Sequence, residues 1–428
     1  MNHPMRITQE KNLIISWCLY DWANSAFTTL VVTFVYAAYF TQEIAPDPTT
    51  GTTLWAHGIT ISAVVIALLS PFLGAEADRK KKWRQYLIRA SLLSICATTL
   101  LAFVSPGMTN ATVLALALFI IANIAFELGI VFYNAMLPAI APPGKIGSIS
   151  GYGWGAGYIG GLLCLALAGL LLVKDNPLLP VSTAEGFQYR ASNLLVAAWF
   201  LLFSLPLFLR FPKEGAASGC APHESAWRRL VQTWLNLQKY PEVRKFLLAH
   251  LVYNDGLVTI IAFGGIYAAG TFQMTFSEIL IFGIALNIAA GLGALLMGRV
   301  DDKIGGRNVV LISLASLGAG SLLAVLSQNR LQFWLAGCLI GFFTGPNQSA
   351  SRSLMARLSP EEHRAEFFGF FTLSGKITSF MGPLLLGWAT SYWQSQRIGM
   401  ATVLLFFAAG TLLLLRVKTK NSQTTLAA

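Results

Sequence analysis

Long apolar runs recur along almost the whole chain, and they constrain its fold more than any other feature. Twelve of them are close to the ~20 residues that an α-helix needs to cross a bilayer. They lie at about 14–40, 53–75, 86–104, 112–136, 149–173, 191–210, 245–269, 276–298, 309–326, 331–350, 366–389 and 398–417. With 55% hydrophobic and 11% charged residues, the chain lies outside the range of soluble proteins. The sequence predicts an all-α membrane protein with twelve transmembrane helices.

The distribution of basic residues predicts the orientation of these helices. The formal net charge is +11, and most Lys and Arg residues fall in alternate loops or at the chain ends. The basic loops are 79–84, 210–245, 299–307 and 352–364, whereas the other loops hold isolated cations such as Arg190. By the positive-inside rule, the basic loops and both termini face the cytoplasm. Because membrane topology explains the basic excess, we expect no nucleic-acid partner.

A polar segment divides the chain into two halves. Residues 1–210 and 245–428 each hold six predicted helices, and residues 211–244 form a cytoplasmic linker rich in Gly, Ala and charge. Within the linker, residues 226–240 place apolar side chains on one helix face and basic ones elsewhere, which predicts an amphipathic helix on the inner membrane surface.

The two halves read as repeats of one another. The segment from Gly74 to Asp78 and Arg79, after the second helix, recurs from Gly298 to Asp302 and Lys303 after the eighth. Such parallel repeats are typical of transporters, and they predict a substrate site near mid-membrane between the halves. Further pairs align in the same order: Asn24 with Asp255, Thr28 with Thr259, Tyr36 with Tyr267, and Gly157 with Pro383.

These repeated loops resemble the signature of the major facilitator superfamily, and the twelve-helix plan extends the resemblance over the whole chain. Four segments, 20–27, 132–138, 348–354 and 366–376, are similar to the vacuole effluxer branch, whose fungal member exports amino acids from the vacuole. The resemblance implies two pseudo-symmetric six-helix bundles and secondary active transport. The short loops fit a compact protein of a bacterial inner membrane better than the larger fungal relative.

The resemblance implies a gating role for the acidic groups in the repeated loops. In the superfamily, the matching acids hold the cytoplasmic gate closed through charged and helix-end contacts. The gating set comprises Gly74, Asp78 and Arg79 in the first copy, and Gly298, Asp302, Lys303 and Arg307 in the second. The first copy has three lysines, 80–82, where the family has a Gly-Arg step, which puts its tight turn in doubt. A solvated charge run is the alternative.

Glycines crowd the start of the fifth helix, where each costs ~1 kcal/mol against Ala. The run includes Gly157, Gly160 and Gly161 and is similar to the antiporter segment of the superfamily, although Gly157 replaces its Pro. Pro383 in the eleventh helix keeps that Pro. Two explanations stay open, a pliable gate and close packing of helices.

Four ionisable residues lie deep within the predicted helices: Asp21, Glu127, Asp255 and Lys376. Charged groups inside a bilayer are expensive and usually face a bundle interior or a wet cavity. We expect the three acids to carry protons and Lys376 to meet an anionic group of the solute. The alternative is a fixed ion pair between Lys376 and Asp21 or Glu127 that holds helices together.

Polar and aromatic residues near these groups are candidates for solute binding, since a small-molecule pocket needs a few placed polar groups and ring faces. Packing within the bundle is the alternative for each. The candidates are Asn24, Tyr133, Asn134, Trp154, Asn254 and Gln348.

The sequence contains no metalloprotease, phosphate-loop or nucleophile-elbow motif, so we expect neither an enzyme nor a resident cofactor or metal. We expect a monomeric proton-coupled transporter that moves a small polar or zwitterionic solute, such as an amino acid, outward. Two alternatives stay open: a multidrug or organic-cation proton antiporter, and a receptor or scaffold that no longer transports. Three acids inside the membrane disfavour a scaffold, which gains nothing from their desolvation.

Overall fold

A computed structural model describes residues 3–173, 178–179, 181–212, 235 and 237–419, without the side chains of residues 3–8 and 276. The described residues form helices and short connections, with no strand among them. The helices are α1 (His3–Ala26), α2 (Tyr36–Tyr39), α3 (Pro48–Lys80), α4 (Trp83–Leu101), α5 (Ala111–Ile140), α6 (Ile146–Ala168), α7 (Phe187–Arg210), α8 (Pro241–Phe272), α9 (Phe276–Ile304), α10 (Gly306–Leu326), α11 (Arg330–Leu358), α12 (Arg364–Lys376), α13 (Met381–Trp393), α14 (Gln396–Ala401) and α15 (Val403–Leu414).

The first membrane segment is helical over its whole length but is not a uniform α-helix. α1 continues into a π-helical stretch, Phe27–Phe34, and a second one, Phe40–Ile44, follows α2. The single turn α2 is therefore bracketed by two π-helical stretches. Long π-helical stretches are rare, and π-bulges are frequent at functional sites.

Nine helical segments of the described chain are long and apolar enough to cross a membrane. The three other expected spans coincide with α4, with α11 and with the pair α12 and α13. Many large apolar side chains lie on the outside of the helices, for example Leu68, Leu209 and Leu331. Such exposure suits helices that face lipid, because lipid tails are as apolar as leucine.

The contacts divide the chain into two compact units. Unit 1 comprises Met1–Leu69, Lys80–Tyr133 and Ala156–Ser218, and unit 2 comprises Ser70–Arg79, Asn134–Gly155 and Gly219–Ala428. Three helices, α3, α5 and α6, thus contribute residues to both units. The division into halves at 211–244 stays a prediction, because most of that linker, with its predicted amphipathic helix, lies outside the described residues.

Three predictions about helix ends are wrong. The apolar run 366–389 is not one helix, because α12 ends at Lys376 and residues 377–380 form turns before α13. Arg352 is not a loop residue, since α11 continues to Leu358 and buries it. Arg190 likewise belongs to α7 rather than to a loop.

The predicted repeat is visible in how each unit closes its helix ends. In unit 1, Nε of Arg84 at the start of α4 donates to the backbone oxygen of Phe208 near the end of α7, over 2.7 Å. In unit 2, Nε and Nη2 of Arg307 at the start of α10 donate to the oxygens of Leu414 (3.3 Å) and Leu415 (2.8 Å). Each arginine donates to carbonyls at the end of a helix, where partners within the helix run out.

Candidate functional site

Asp78 lies near the end of α3 and contacts the start of α12 within unit 2. Its two carboxylate oxygens accept the backbone N–H groups of Ala365 (3.1 Å) and Glu366 (2.8 Å). The first N–H groups of a helix have no partner inside the helix and carry partial positive charge. Gly74, one turn earlier, lies against the backbone of Ala365 so closely that a Cβ would overlap it. The acid and the glycine thus serve one helix contact.

Asp302 makes the corresponding contact at the end of α9. Its carboxylate accepts the backbone N–H groups of Gly147 (2.8 Å) and Ser148 (3.1 Å) at the start of α6, and also the Ser148 hydroxyl. Gly298 lies against the oxygen of Gly147. Both repeats therefore place a glycine and an acid against the first turn of a helix, and the gating role of these residues stays a prediction.

The basic neighbours of these acids make several different contacts. Arg79 forms an exposed ion pair with Glu76 at 2.7 Å, and Arg307 caps the end of α15 as described above. A buried carboxylate that sequence reasoning missed, Asp301, pairs instead with Arg357 and accepts the Ser353 hydroxyl. The sequence contains one sign of this pair, because Asp301 is a second acid within the Gly298–Asp302 segment and a buried acid needs a partner.

The two loops also differ in their turn chemistry, as the sequence suggests. Lys81 adopts a left-handed backbone conformation with φ 51°, whereas Gly305 provides the positive φ of 85° in the second loop. A left-handed conformation is costly for a residue with a Cβ and free of that cost for glycine. The first loop therefore makes its turn without glycine, at an energetic cost.

The glycines of α6 make close helix contacts on two sides. In unit 2, Gly151 lies against the backbone oxygen of Ala294. In unit 1, Gly160 lies against the backbone of Trp22, and a Cβ on Gly157 would lie 2.6 Å from Oγ of Ser25. Close packing thus accounts for these glycines, and a role in bending stays a prediction.

A helix break follows Lys376 in unit 2. α12 ends there and α13 begins at Met381. A break within an apolar span leaves backbone groups that neighbouring helices must satisfy. Asn254 of α8 does so, because its Nδ2 donates to the backbone oxygen of Gly375 over 2.9 Å. Two predicted site residues, Asn254 and Lys376, therefore lie at the same break.

Asp255 of α8 lies beside the same break and is only 2% exposed. Oγ1 of Thr378 donates to one of its carboxylate oxygens over 3.3 Å. One turn earlier on α8, Nδ1 of His250 hydrogen-bonds Oγ of Ser374 at 2.7 Å, and its ring stacks on Phe371. Within the described chain, no cation lies at ion-pair distance from Asp255. Burying a carboxylate costs free energy, which a hydrogen-bond donor, a nearby cation or a bound proton offsets.

In unit 1, Asp21 and Asn24 are buried on one face of α1. Nδ2 of Asn24 lies 3.4 Å from Oδ1 of Asp21, and Oγ of Ser25 donates to the backbone oxygen of Asp21 over 2.8 Å. Glu127 of α5 belongs to the same unit and is half-buried. These two predicted proton carriers thus share a unit, while Asp255 belongs to the other.

Tyr133 is held by an aromatic stack in unit 1. Its ring stacks between those of Trp17 (4.4 Å) and Tyr20 (4.7 Å). Its hydroxyl donates to the backbone oxygen of Trp17, whose Nε1 donates back to the oxygen of Tyr133. These contacts favour packing over solute binding for Tyr133.

Arg352 joins three other candidates in unit 2, although sequence reasoning missed it. This arginine is 3% exposed, and its Nη2 donates to the backbone oxygen of Ser150 over 2.6 Å. Its Nη1 lies 3.4 Å from Oδ1 of Asn134, and its guanidinium lies 5.6 Å from the ring centre of Trp154. Gln348 lies one turn before it on α11 and is half-buried. The sequence of segment 348–354 could have indicated that Arg352 is buried, because this cation interrupts a run of small residues.

Comparison with known proteins decides the family. The sequence model described as "Vacuole effluxer Atg22 like" matches residues 49–146 and 143–427. The chain belongs to this family. Its relatives include the uncharacterized MFS-type transporter YxiO of Bacillus subtilis, 29% identical over 97% of this chain and 96% of that protein. Autophagy-related protein 22 of Cryptococcus neoformans is 24% identical over 64% of this chain, and the match spans about half (51%) of the fungal protein.

Solved structures agree on the fold. The major facilitator transporter FucP in its outward conformation matches with a TM-score of 0.77, over 96% of this chain and 99% of FucP, at 12% identity. At that identity the likeness establishes the fold alone. The chain is therefore a multi-pass major facilitator transporter of the Atg22-like branch, and not an enzyme.

Proposed function

We propose that this transporter moves a small polar or zwitterionic solute of the amino-acid type, outward and in exchange for protons. The name of the family, vacuole effluxer, supports the outward direction. The positive-inside pattern supports cytoplasmic termini in a bacterial inner membrane. Small-molecule transport by a monomer is the ordinary mode of such proteins.

The observation that carries this proposal is the break between α12 and α13. Lys376 lies at the end of α12, and the buried acid Asp255 of α8 accepts a hydrogen bond from Thr378 within the break. The amide of Asn254, also of α8, donates to the backbone oxygen of Gly375 beside Lys376. Transporters commonly build their sites at discontinuous helices, where side chains and freed backbone groups meet the solute and the coupling ion. Lys376 supplies the charge that a solute carboxylate needs, and Asp255 supplies a group that can hold a proton.

Thermal stabilisation of the purified protein tests the solute class. Amino acids, dipeptides and lipophilic organic cations are added at pH 6 and pH 8, and apparent stability is followed by intrinsic tryptophan fluorescence. Specific binding raises stability by about 2.7 kcal/mol at a hundredfold excess over Kd. We expect amino acids to stabilise the protein, with a pH dependence.

Two lysine variants test whether Lys376 is needed for stabilisation by amino acids. Lys376→Gln is expected to abolish stabilisation by amino acids. Lys11→Gln changes an exposed lysine of α1, is the matched control and is expected to keep that stabilisation. Stabilisation by lipophilic cations alone would favour the drug antiporter instead. Stabilisation by amino acids that survives Lys376→Gln would contradict the assignment of this lysine.

A further inference from the structure

Unit 1 contains a second group of buried polar side chains, contributed by α2, α3 and α7, with hydrogen-bonding atoms that lack partners in the described chain. Arg190 of α7 is 7% exposed, and Tyr36 of α2 and Asn193 of α7 are fully buried. Nε of Arg190, the hydroxyl of Tyr36 and both polar atoms of Asn193 have no hydrogen-bond partner among the described residues. The indole Nε1 of Trp55 also has no hydrogen-bond partner among the described residues. These four residues are called the Arg190 cluster below.

The members of the Arg190 cluster lie close together. The ring of Tyr36 lies 6.2 Å from that of Trp55 and 5.9 Å from that of Tyr39. Tyr39 in turn stacks at 6.0 Å on Tyr189, the chain neighbour of Arg190 in α7. Asn193 follows Arg190 by three residues, which puts both on one face of α7 about 4.5 Å apart along its axis.

The counterpart of this cluster in unit 2 has partners for its donors. Tyr267 aligns with Tyr36 in the repeat, and its hydroxyl donates to the backbone oxygen of Ala324 over 3.3 Å. The guanidinium of Arg397 lies 5.5 Å from the ring centre of Phe272, which packs edge-on against Tyr267 at 5.7 Å, and Arg397 donates to the backbone oxygen of Val325. The repeat therefore shows the same pair of side chains in a satisfied form, and the unsatisfied form is particular to unit 1.

A buried donor without an acceptor costs about 1–3 kcal/mol, and native proteins leave few such groups. Arg190 lies 3.8 Å from the carboxylate of Glu185, whose side chain is 55% exposed. That distance gives a weak, solvent-screened pair. The Arg190 cluster thus presents a positive charge and several free donors, and one free acceptor on Asn193.

We propose that the Arg190 cluster binds the carboxylate group of a small solute. A planar guanidinium matches a carboxylate in two parallel hydrogen bonds, and phenol, indole and amide N–H or O–H groups complete its coordination. The cluster lies at the end of α7 that the predicted topology places away from the cytoplasm. It is distinct from the helix break at Lys376 and does not depend on the function proposed above.

Titration of the full-length protein with acetate tests this assignment, at constant ionic strength maintained with chloride and with calorimetry as the readout. Acetate is expected to bind, and the uncharged isostere acetamide is not. Arg190→Gln and Asn193→Leu are each expected to weaken acetate binding by about tenfold or more, since each removes groups that contact the ligand. The matched control, Arg397→Gln, removes a partnered arginine of the other repeat and is expected to leave acetate binding unchanged.

A third variant leaves the buried side chains in place, so the proposal can be tested even if the Arg190 and Asn193 variants fail to fold. Glu185→Gln changes an exposed side chain and removes the carboxylate that competes for Arg190, so acetate binding is expected to strengthen several-fold. Three results would overturn the proposal: acetate binding that is unchanged in both Arg190→Gln and Glu185→Gln, equal binding of chloride, or binding of phosphate in place of acetate. Unchanged acetate binding in both variants would mean that ordered water molecules hydrogen-bond the buried groups of the Arg190 cluster.

Discussion

Asp302→Asn should lower the stability of the protein, because this carboxylate holds the first turn of α6. The side chain is only 8% exposed, and it accepts two backbone N–H groups and the Ser148 hydroxyl, with Arg357 at 3.7 Å. Asparagine keeps the shape but offers one oxygen instead of two. Its amide group would face a backbone N–H, and the charge that suits a helix N-terminus is lost.

The magnitude follows from these contacts. Hydrogen bonds to a charged group contribute about 1.5–3 kcal/mol each, so losing one of them and the charge costs about 2–4 kcal/mol. Unfolding entropy of about 2.1 cal/mol/K per residue converts this to a fall in Tm of about 2–4 °C for a chain of this length. The assay is thermal unfolding in detergent, followed by tryptophan fluorescence.

Asp47→Asn is the matched control. Asp47 also accepts two backbone N–H groups at a helix start, those of Thr49 and Thr50, both over 3.0 Å, but it is exposed to solvent. The same substitution should therefore change Tm much less, because water can accept the hydrogen bonds of these backbone N–H groups in place of the carboxylate. Equal changes in the two variants would refute the reasoning that burial makes the Asp302 contact strong.

Two further outcomes are expected of purified variants. Gly160→Ala should cost about 1–3 kcal/mol, because its Cβ would overlap the backbone of Trp22, whereas Gly318→Ala, with open space around it, should gain about 0.5–1 kcal/mol. The hydrogen bond to Glu366 raises the pKa of His363, so the stability that protonated His363 contributes is present below its ordinary pKa of about 6.5 and is lost as pH rises through the raised value. Unfolding curves between pH 5.5 and pH 9 measure this change in stability, and His363→Gln should make stability depend less on pH. If stability changes with pH equally in that variant, the pH dependence belongs to other groups. The other acids that face His363 are Asp78 and Glu362.

The sequence predicts the large-scale organisation well because each transmembrane helix needs its own apolar run. Counting these runs therefore locates eleven spans as single segments, and comparing the loops after the second and eighth reveals the repeat. The glycine and acid of each repeated loop, Gly74 with Asp78 and Gly298 with Asp302, also meet a helix start in the structure. The resemblance of these loops to the superfamily signature predicted such helix-end contacts, and it could do so because the contact involves the backbone of the partner helix and needs no particular side chain there.

Tertiary partners determine what the sequence did not reveal. Arg352 and Arg190 look like loop cations by hydropathy, and only the packing around α11 and α7 shows that they are buried. The break after Lys376 lies in an apolar run with no proline at the break itself, so periodicity gives no warning of it. The two π-helical stretches of the first span likewise depend on the neighbours that hold them rather than on local propensity.

Transport by reconstituted proteoliposomes tests the central proposal most directly. A solute that stabilises the purified protein is supplied in radiolabelled form, with and without a pH gradient across the vesicle membrane. The wild-type protein is expected to drive accumulation of the solute against its own gradient when protons flow the opposite way. Asp255→Asn is expected to lose this accumulation but to keep solute exchange, and Asp47→Asn is expected to behave as wild type. Accumulation that persists unchanged in Asp255→Asn would contradict the role of this acid, and wild-type transport that ignores the pH gradient would contradict proton coupling.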